Sequence, residues 1–214
     1  MLFRSHVTDS TGVLHALINN AGYALMGGLE ETSIEEAQQQ FDTNFFGVLR
    51  MTQAVLPAMR QQGFGRIVNI SSVLGFLPGP YMGIYAATKH ALEGYTETLD
   101  HEIRQFGIRA LLVEPGFTRT GIGTHGKRTA SDLSAYTEAR RRVTQAILKS
   151  IEEGSQPRDV AETVYRAITA DQPQPRYPVG YGLTLSRLRR FVPPKMFARS
   201  FRKQFQLDAE GSRP

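Results

Sequence analysis

The 214-residue chain contains no cysteine, which excludes disulfides and cysteine-ligated metals. Chains without cysteine are typical of a reducing compartment, so a cytoplasmic location is expected. No uninterrupted apolar run approaches the roughly 20 residues that a membrane-spanning helix needs. Residues 1–6 hold no long apolar segment of the kind found in secretory signal peptides. No histidine pair has metal-binding spacing, and we predict no metal site.

Hydrophobic residues make up 41% and charged residues 21% of the chain, which suits one globular domain with a sizeable core. The net charge of +5 is unevenly placed. Residues 182–205 carry seven basic side chains and no acidic one, whereas the rest of the chain is slightly acidic. Because the body has no basic face, nucleic-acid binding is not expected.

Strand-like and helix-like segments alternate along the chain, which indicates an α/β fold with a parallel sheet covered by helices. The predicted strands are residues 13–18, 65–72, 108–113 and 176–179. The predicted helices begin near Thr32 and then cover residues 41–62, 81–106, 131–153 and 157–170. Ser33 and Glu36 have the spacing of a capping box at the first helix start.

One short stretch carries the residues best suited to chemistry. Tyr85 and Lys89 are four residues apart on a predicted helix and therefore share one face. A tyrosine has an ordinary pKa of about 10, and a nearby ammonium lowers it by favouring the phenolate. The phenol could then serve as a general acid or base. Ser72 could bond the same substrate oxygen, and Asn44 could hold a relay water.

Five segments occur in a fixed order along the sequence. They are Asn19-Asn20-Ala21-Gly22, Thr43-Asn44-Phe45-Phe46-Gly47, Ile70-Ser71-Ser72-Val73-Leu74-Gly75, Tyr85-Ala86-Ala87-Thr88-Lys89 and Pro115-Gly116-Phe117-Thr118-Arg119-Thr120. Together they resemble, in order and spacing, the motifs of short-chain dehydrogenases/reductases. A lone Tyr-x-x-x-Lys pair would more often be a partly buried helix face, but the five segments together favour a catalytic site.

The resemblance implies hydride transfer between NAD(P)(H) and a carbonyl or alcohol. Tyr85 would be the general acid/base, and Lys89 would lower its pKa and hold the nicotinamide ribose. Ser72 would orient the substrate oxygen, and Asn44 would position the relay water. The implied substrates are small or lipophilic aldehydes, ketones or hydroxysteroid-like compounds, as in hydroxysteroid- and retinol-type members and bacterial NADPH-dependent aldehyde/ketone reductases.

The same resemblance implies where the cofactor lies, with NADP(H) favoured over NAD(H). The residues on its adenosine side would be Asn20, Ala21 and Gly22. Those around its nicotinamide would be Pro115, Gly116, Thr118 and Thr120, besides Tyr85 and Lys89. Two simpler interpretations stay open, because Asn19-Asn20 could be an ordinary turn and Thr120 could cap a helix. Family members are commonly homo-oligomers, so the full-length protein is expected to be one.

The family's glycine-rich start is not found in this sequence. Members begin with a strand, a Thr-Gly-x-x-x-Gly-x-Gly turn and a helix that receive the pyrophosphate. No such pattern precedes Asn19. The resemblance therefore implies a partial Rossmann-like doubly wound sheet with the family's strands 4–7, strands 1–3 missing, and an exposed edge at the fourth strand.

Two explanations of this N-terminal truncation stay open: a piece of a longer enzyme, or a shortened protein that acts without catalysis through protein or membrane-surface contacts. Under either, the 214 residues alone are expected neither to bind NADPH nor to reduce carbonyls.

The domain division expected from the sequence is a truncated catalytic domain at residues 1–181 and a basic amphipathic helical tail at residues 182–214. The tail has two interpretations. It could lie over the substrate pocket or at a subunit contact. Alternatively, its apolar side and seven cations could attach peripherally to an anionic membrane surface.

Overall fold

The main sheet has four strands, and each neighbouring pair of strands is parallel. The computed structural model describes residues 12–120, 126–181, 184, 191–205 and 207. In chain order the strands are β1 (Ala16–Asn19), β2 (Leu25–Met26), β3 (Gly65–Ile70), β4 (Ile108–Pro115), β5 (Lys127–Arg128) and β6 (Arg176–Val179). The main sheet has the order β1-β3-β4-β6, and β2 pairs with β5 in a separate two-stranded sheet. The parallel α/β architecture predicted from the sequence is confirmed.

Six α-helices lie in the described residues and connect or cover these strands. They are α1 (Ile34–Phe41), α2 (Gly47–Gln62), α3 (Gly83–Ile103), α4 (Thr137–Glu152), α5 (Pro157–Thr169) and α6 (Pro194–Gln204). Within the described part of the chain, none of them is long and apolar enough to cross a membrane.

The helix ends follow local chemistry. The predicted capping box is present, since the Glu36 N–H donates to Ser33 Oγ at 3.1 Å and the Ser33 N–H donates to Glu36 Oε2 at 2.9 Å. The predicted helix beginning at Tyr81 starts two residues later, at Gly83. Tyr81 has a φ of +58°, which a right-handed helix does not accept. The predicted helix over residues 41–62 is interrupted by a π-helical turn, Asp42–Phe46.

Helices cover both faces of the main sheet, as in a doubly wound fold. On one face, α2 and α3 pack Val55, Met59 and Leu99 against Ile67 of β3. On the other face, α5 packs against β3 and β4, and the buried residues there are Val68, Leu111, Val113, Val164, Ala167 and Val179. The strands β3 and β4 are therefore buried on both sides, which explains their continuous apolar sequences.

Strand β1 is an edge of the described sheet, since it pairs only with β3 among the described strands. Ile18 is correspondingly 46% exposed. This agrees with the sequence expectation of an open edge at the strand before Asn20. The described sheet thus supplies one side of the crevice that parallel α/β sheets form at their carboxyl ends.

Candidate active site

The predicted motifs meet at the carboxyl ends of the parallel strands. Asn20 follows β1, Ser72 is the second residue after β3, and Pro115 ends β4. In the sheet Asn19 lies opposite Asn69, and Ile70 lies opposite Val113. Because parallel strands end at the same edge, segments distant in sequence come together there, where such sheets bind ligands.

Tyr85 and Lys89 lie in the first half of α3, the helix that packs beside β4. Tyr85 is buried, with 7% of its surface exposed, and Lys89 is buried to the same degree. The Lys89 Nζ is 5.6 Å from the centre of the Tyr85 ring and donates a hydrogen bond to the Ile70 carbonyl at 2.7 Å. The structure thus places the phenol and the ammonium side by side at the end of β3.

The electrostatics of this pair differ from the expectation. Burial raises the pKa of Tyr85 to about 12. The hydrogen bond with the Ser72 side chain acts in the opposite direction but is outweighed. Burial lowers the pKa of Lys89 to about 8, and the Glu93 carboxylate opposes that change. The sequence predicted a phenol whose pKa the ammonium brings towards neutrality, and in this respect the prediction was wrong. Loss of water around the phenol outweighs its neighbours, and periodicity cannot reveal that burial.

Asn44 lies in the π-helical turn and is 1% exposed. Its Oδ1 accepts the Tyr23 N–H at 3.1 Å, and its Nδ2 donates to the Tyr23 carbonyl at 2.9 Å and to Thr88 Oγ1 at 3.2 Å. The amide therefore joins the loop after β1 to α3. Single π-helical turns inside helices occur frequently at functional sites.

The residues expected along the adenosine side lie on the open edge of the site. Asn20, Ala21 and Gly22 are exposed at the end of β1. A Cβ on Gly22 would lie 3.2 Å from Asn44 Oδ1, so a larger residue would crowd that amide. The position is therefore suited to close approach of a ligand to the backbone.

The residues expected around the nicotinamide form a loop at the end of β4. The Gly116 N–H donates to the Val179 carbonyl at 3.2 Å, and Thr118 forms a bridge with Ser155. Thr120 is exposed, and its N–H donates to the Thr118 carbonyl at 2.7 Å. Residues 121–125 follow outside the described residues.

The donors at the site fit a sugar hydroxyl. An ammonium has three N–H donors. In the described part of the chain the Lys89 ammonium has one hydrogen bond, to the Ile70 carbonyl, and it lies next to a phenol. Two donors remain for hydroxyl oxygens of a bound ribose. This donor set is the observation by which a nicotinamide nucleotide fits the site.

The sequence did not reveal a group of buried charged residues that begins one helical turn after Lys89. Glu93 and Glu114 are 5% and 3% exposed, and the Arg176 guanidinium bonds to both carboxylates. Glu93 also accepts a hydrogen bond from Ser71, the neighbour of Ser72. The only sequence signal was the spacing of four residues between Lys89 and Glu93, which is common on helices.

An apolar cluster includes Tyr85. Buried Met82, Val143 and Ile147 pack with Tyr85 and with Phe205, which follows α6. The partly buried members of the same cluster include Leu74, Tyr81, Phe117, Phe201 and Leu207. The described end of the basic tail therefore turns its aromatic side towards the candidate site.

Four parallel strands with helices on both faces, and a polar site at their carboxyl ends, define a Rossmann-like α/β domain. The chain belongs to the short chain dehydrogenase family, whose family model matches residues 3–130. This agrees with the resemblance carried by the five sequence segments.

Known relatives agree with this assignment. The chain is 38% identical over 183 residues to an uncharacterized oxidoreductase, YusZ, of Bacillus subtilis, covering 83% of this chain and 65% of that protein. It is 38% identical over 178 residues to a 3-ketodihydrosphingosine reductase of Bacteroides thetaiotaomicron, covering 81% and 65%. The chain thus spans slightly less than two thirds of the length of these two relatives.

Solved structures with similar folds extend over most of the chain. A short-chain dehydrogenase from Streptomyces avermitilis has a TM-score of 0.78 and 30% identity, covering 99% of this chain and 76% of that one. A short chain dehydrogenase/reductase from Burkholderia phymatum in complex with NAD has a TM-score of 0.75 and 27% identity, covering 92% and 72%. ElxO with NADP bound has a TM-score of 0.69 and 26% identity, covering 86% and 73%. Two of these three neighbours are thus solved with a nicotinamide dinucleotide bound.

Proposed function

We propose that the protein containing this chain reduces carbonyl compounds with a nicotinamide nucleotide, using Tyr85 as general acid/base. The observation that carries the proposal is the meeting of Tyr85, Ser72 and Lys89 at the carboxyl ends of β3 and β4. The bound nucleotide supplies hydride chemistry. The chain supplies orientation, exclusion of water and the proton.

Each side chain then has a specific task. The Ser72 hydroxyl and the Tyr85 phenol hold the substrate oxygen between them. Lys89 binds the ribose hydroxyls with the N–H donors that do not bond the Ile70 carbonyl. Asn44 keeps the loop after β1 in place and positions the water that resupplies the proton. Asn20, Ala21 and Gly22 line the adenosine side, and the nicotinamide side is lined by Pro115, Gly116, Thr118 and Thr120.

The raised pKa of Tyr85 favours the direction of reduction. A phenol with a pKa of about 12 keeps its proton throughout the neutral range. It can therefore donate that proton to a carbonyl oxygen, whereas oxidation of an alcohol would first require the phenolate.

We propose NADP(H) as the preferred cofactor, and comparing kcat/KM for NADPH and NADH tests that preference.

The apolar cluster beside Tyr85 supports a lipophilic substrate. Phe201 of α6 and Phe117 after β4 pack at the cluster that contains Tyr85. The 3-ketodihydrosphingosine reductase named above acts, by its name, on a long-chain ketone, which agrees with this chemistry. Because α6 turns Phe201 and Phe205 inwards, we favour a tail that covers the substrate side over one that attaches to a membrane.

We expect kcat/KM to rise about fourfold for each methylene added to a homologous series of aldehydes, since a buried methylene contributes about 0.8 kcal/mol. The measurement is NADPH consumption by the protein produced from its complete reading frame. Phe201→Ala should flatten the series, because it removes a ring from the cluster. A rate independent of chain length in the unaltered protein would rule out the lipophilic pocket.

The 214 residues by themselves are expected to bind NADPH too weakly for calorimetry to detect. The pyrophosphate of a dinucleotide is ordinarily held by a glycine-rich turn and a helix N-terminus, and the sequence contains no Thr-Gly-x-x-x-Gly-x-Gly pattern. The described residues would offer the nicotinamide side and, at Asn20, Ala21 and Gly22, one edge of the adenosine side. Micromolar binding of NADPH to this chain, confirmed by competition with NADP, would contradict the expectation.

We also propose that the protein is a cytoplasmic homo-oligomer that binds no nucleic acid.

A further inference from the structure

The buried charges behind Lys89 join three segments that carry the candidate active site. Glu93 is on α3, one turn after Lys89. Its carboxylate accepts a hydrogen bond from Ser71, which precedes Ser72, and pairs with Arg176 of β6. Arg176 also pairs with Glu114, the residue before Pro115. The Arg176 guanidinium thus connects the helix of Tyr85 with the end of β4, and Glu93 connects that helix with the residue after β3.

The packing around Glu93 leaves its carboxylate little freedom. A Cβ added at Gly75, in the short turn that Ser72 caps, would lie 2.7 Å from Glu93 Oε1 and 2.7 Å from Ser71 Oγ. The turn after Ser72 therefore rests directly on the Glu93 side chain. A glycine at this position is required by the close approach.

The surroundings of Glu93 include charged or titratable groups from three elements and a hydroxyl from the segment after β3. They are Lys89 and Glu97 on α3, Ser71 after β3, Glu114 on β4 and Arg176 on β6. Two buried carboxylates share one guanidinium, and burial together with Glu93 raises the pKa of Glu114 to about 7. Arg176 and Ser71 both bond the Glu93 carboxylate directly, and these two contacts hold it in position.

We propose that Glu93 is a positioning residue that keeps the Lys89 ammonium charged and in place beside Tyr85. The inference rests on the proposed role of Lys89, but Glu93 itself touches neither substrate nor cofactor. Burial works against the charge on Lys89, and the carboxylate one turn away works for it. Arg176, Ser71 and Gly75 hold that carboxylate where it can act.

The test is the titration of Lys89 in the 214-residue chain, followed by NMR. The sequence has five lysines, so protein labelled with ¹³C-lysine gives few signals, and Lys89→Arg identifies the one that belongs to Lys89. Glu93→Gln keeps the shape and the hydrogen-bonding capacity of the side chain but removes its charge. We expect Lys89 to titrate roughly one pH unit lower in this variant.

Two further variants are controls for charge and for Arg176. Glu97→Gln removes another carboxylate that Arg176 bonds, on the same helix but half exposed, and should leave the Lys89 titration unchanged. Glu93→Asp keeps the negative charge. In this variant the Lys89 midpoint should lie closer to that of the unaltered chain than it does in Glu93→Gln. If Glu93→Gln does not fold, Gly75→Ala serves instead, because its methyl group displaces the carboxylate and should lower the midpoint in the same direction.

An unchanged Lys89 midpoint in a folded Glu93→Gln or Gly75→Ala variant overturns the proposal, and so does an equal shift in Glu97→Gln. The titration needs neither cofactor nor turnover. Its outcome is therefore separate from that of the proposed activity, which depends on Tyr85.

Discussion

Replacing Tyr85 with phenylalanine is expected to lower kcat for carbonyl reduction about 10²–10⁴-fold, the usual contribution of a positioned general acid. The ring fills the same place in the apolar cluster, so the substitution removes only the hydroxyl that bonds Ser72. KM should change little, because the proposed contact of Ser72 with the substrate oxygen is retained. The measurement is NADPH consumption with a reactive aldehyde, using the protein produced from its complete reading frame.

Tyr95→Phe is the matched control, since it removes a hydroxyl from a half-buried tyrosine on the same helix. The Tyr95 ring packs edge-on against Phe45, with 5.9 Å between the ring centres. This control keeps that ring contact and should leave kcat nearly unchanged. If Tyr85→Phe retained full turnover, the proposed mechanism would be wrong and the family membership would reflect ancestry alone.

The pH dependence follows from the same groups. The pKa of Tyr85 is raised, so the phenol stays protonated up to strongly alkaline pH. The pKa of Lys89, lowered to about 8, lies inside the accessible range. Loss of the Lys89 charge should therefore limit reduction on the alkaline side before the phenol loses its proton.

The sequence predicted the fold well because its signals are local. The capping box at Ser33, the glycine after α2 and the proline at the start of α5 each mark a helix end by backbone chemistry alone. The apolar segments of β3 and β4 likewise indicate strands buried on both faces. The order of the sheet then follows from the preference of consecutive parallel strands to lie side by side.

The site was predictable in its members but not in its electrostatics. The five motifs identified Asn44, Ser72, Tyr85 and Lys89, and the structure brings the last three together. Whether a phenol gains or loses acidity depends on how completely it is buried. That is a property of α6, α4 and the loop after β4 packing around it, which no spacing within α3 reveals.

The charges behind the site were missed for a similar reason. Glu93, Glu114 and Arg176 are far apart in sequence, and each alone resembles an ordinary surface residue. Only the pairing of Leu112 with Arg176 in the sheet brings them together. Long-range register decides such contacts, and a single sequence carries no direct signal of it.

The Asp100→Asn variant is expected to lose roughly 3 kcal/mol of stability, as when one partner of a buried ion pair is removed. The Asp100 side chain is 4% exposed and accepts hydrogen bonds from Arg109, from the exposed Arg104 and from the Ala110 N–H at 2.9 Å. It therefore fixes the end of α3 to the start of β4. Arg109 keeps a hydrogen bond to the Pro173 carbonyl, which puts the loss at the lower end of the usual range.

Urea unfolding monitored by circular dichroism at neutral pH measures this loss, which corresponds to a fall in Tm of roughly 6–12 °C for a domain of this size. Glu138→Gln is the control, because its pair with Arg141 is exposed on both sides and should contribute at most about 0.5 kcal/mol. Equal stability of the two variants would show that Asp100 does not secure α3.

The difference between Asp100→Asn and the unaltered chain should depend on pH in a definite direction. Burial raises the pKa of Asp100, but hydrogen bonds from Arg109, Arg104 and the Ala110 N–H outweigh it and hold the pKa below its ordinary value. A lowered folded-state pKa gives stability that is fully present above about pH 4, the unfolded value, and is lost as the pH falls through the folded value. The two proteins should therefore become more alike only in strong acid. A difference that shrank between neutral pH and about pH 5 would mean that other carboxylates, and not Asp100, hold these arginines.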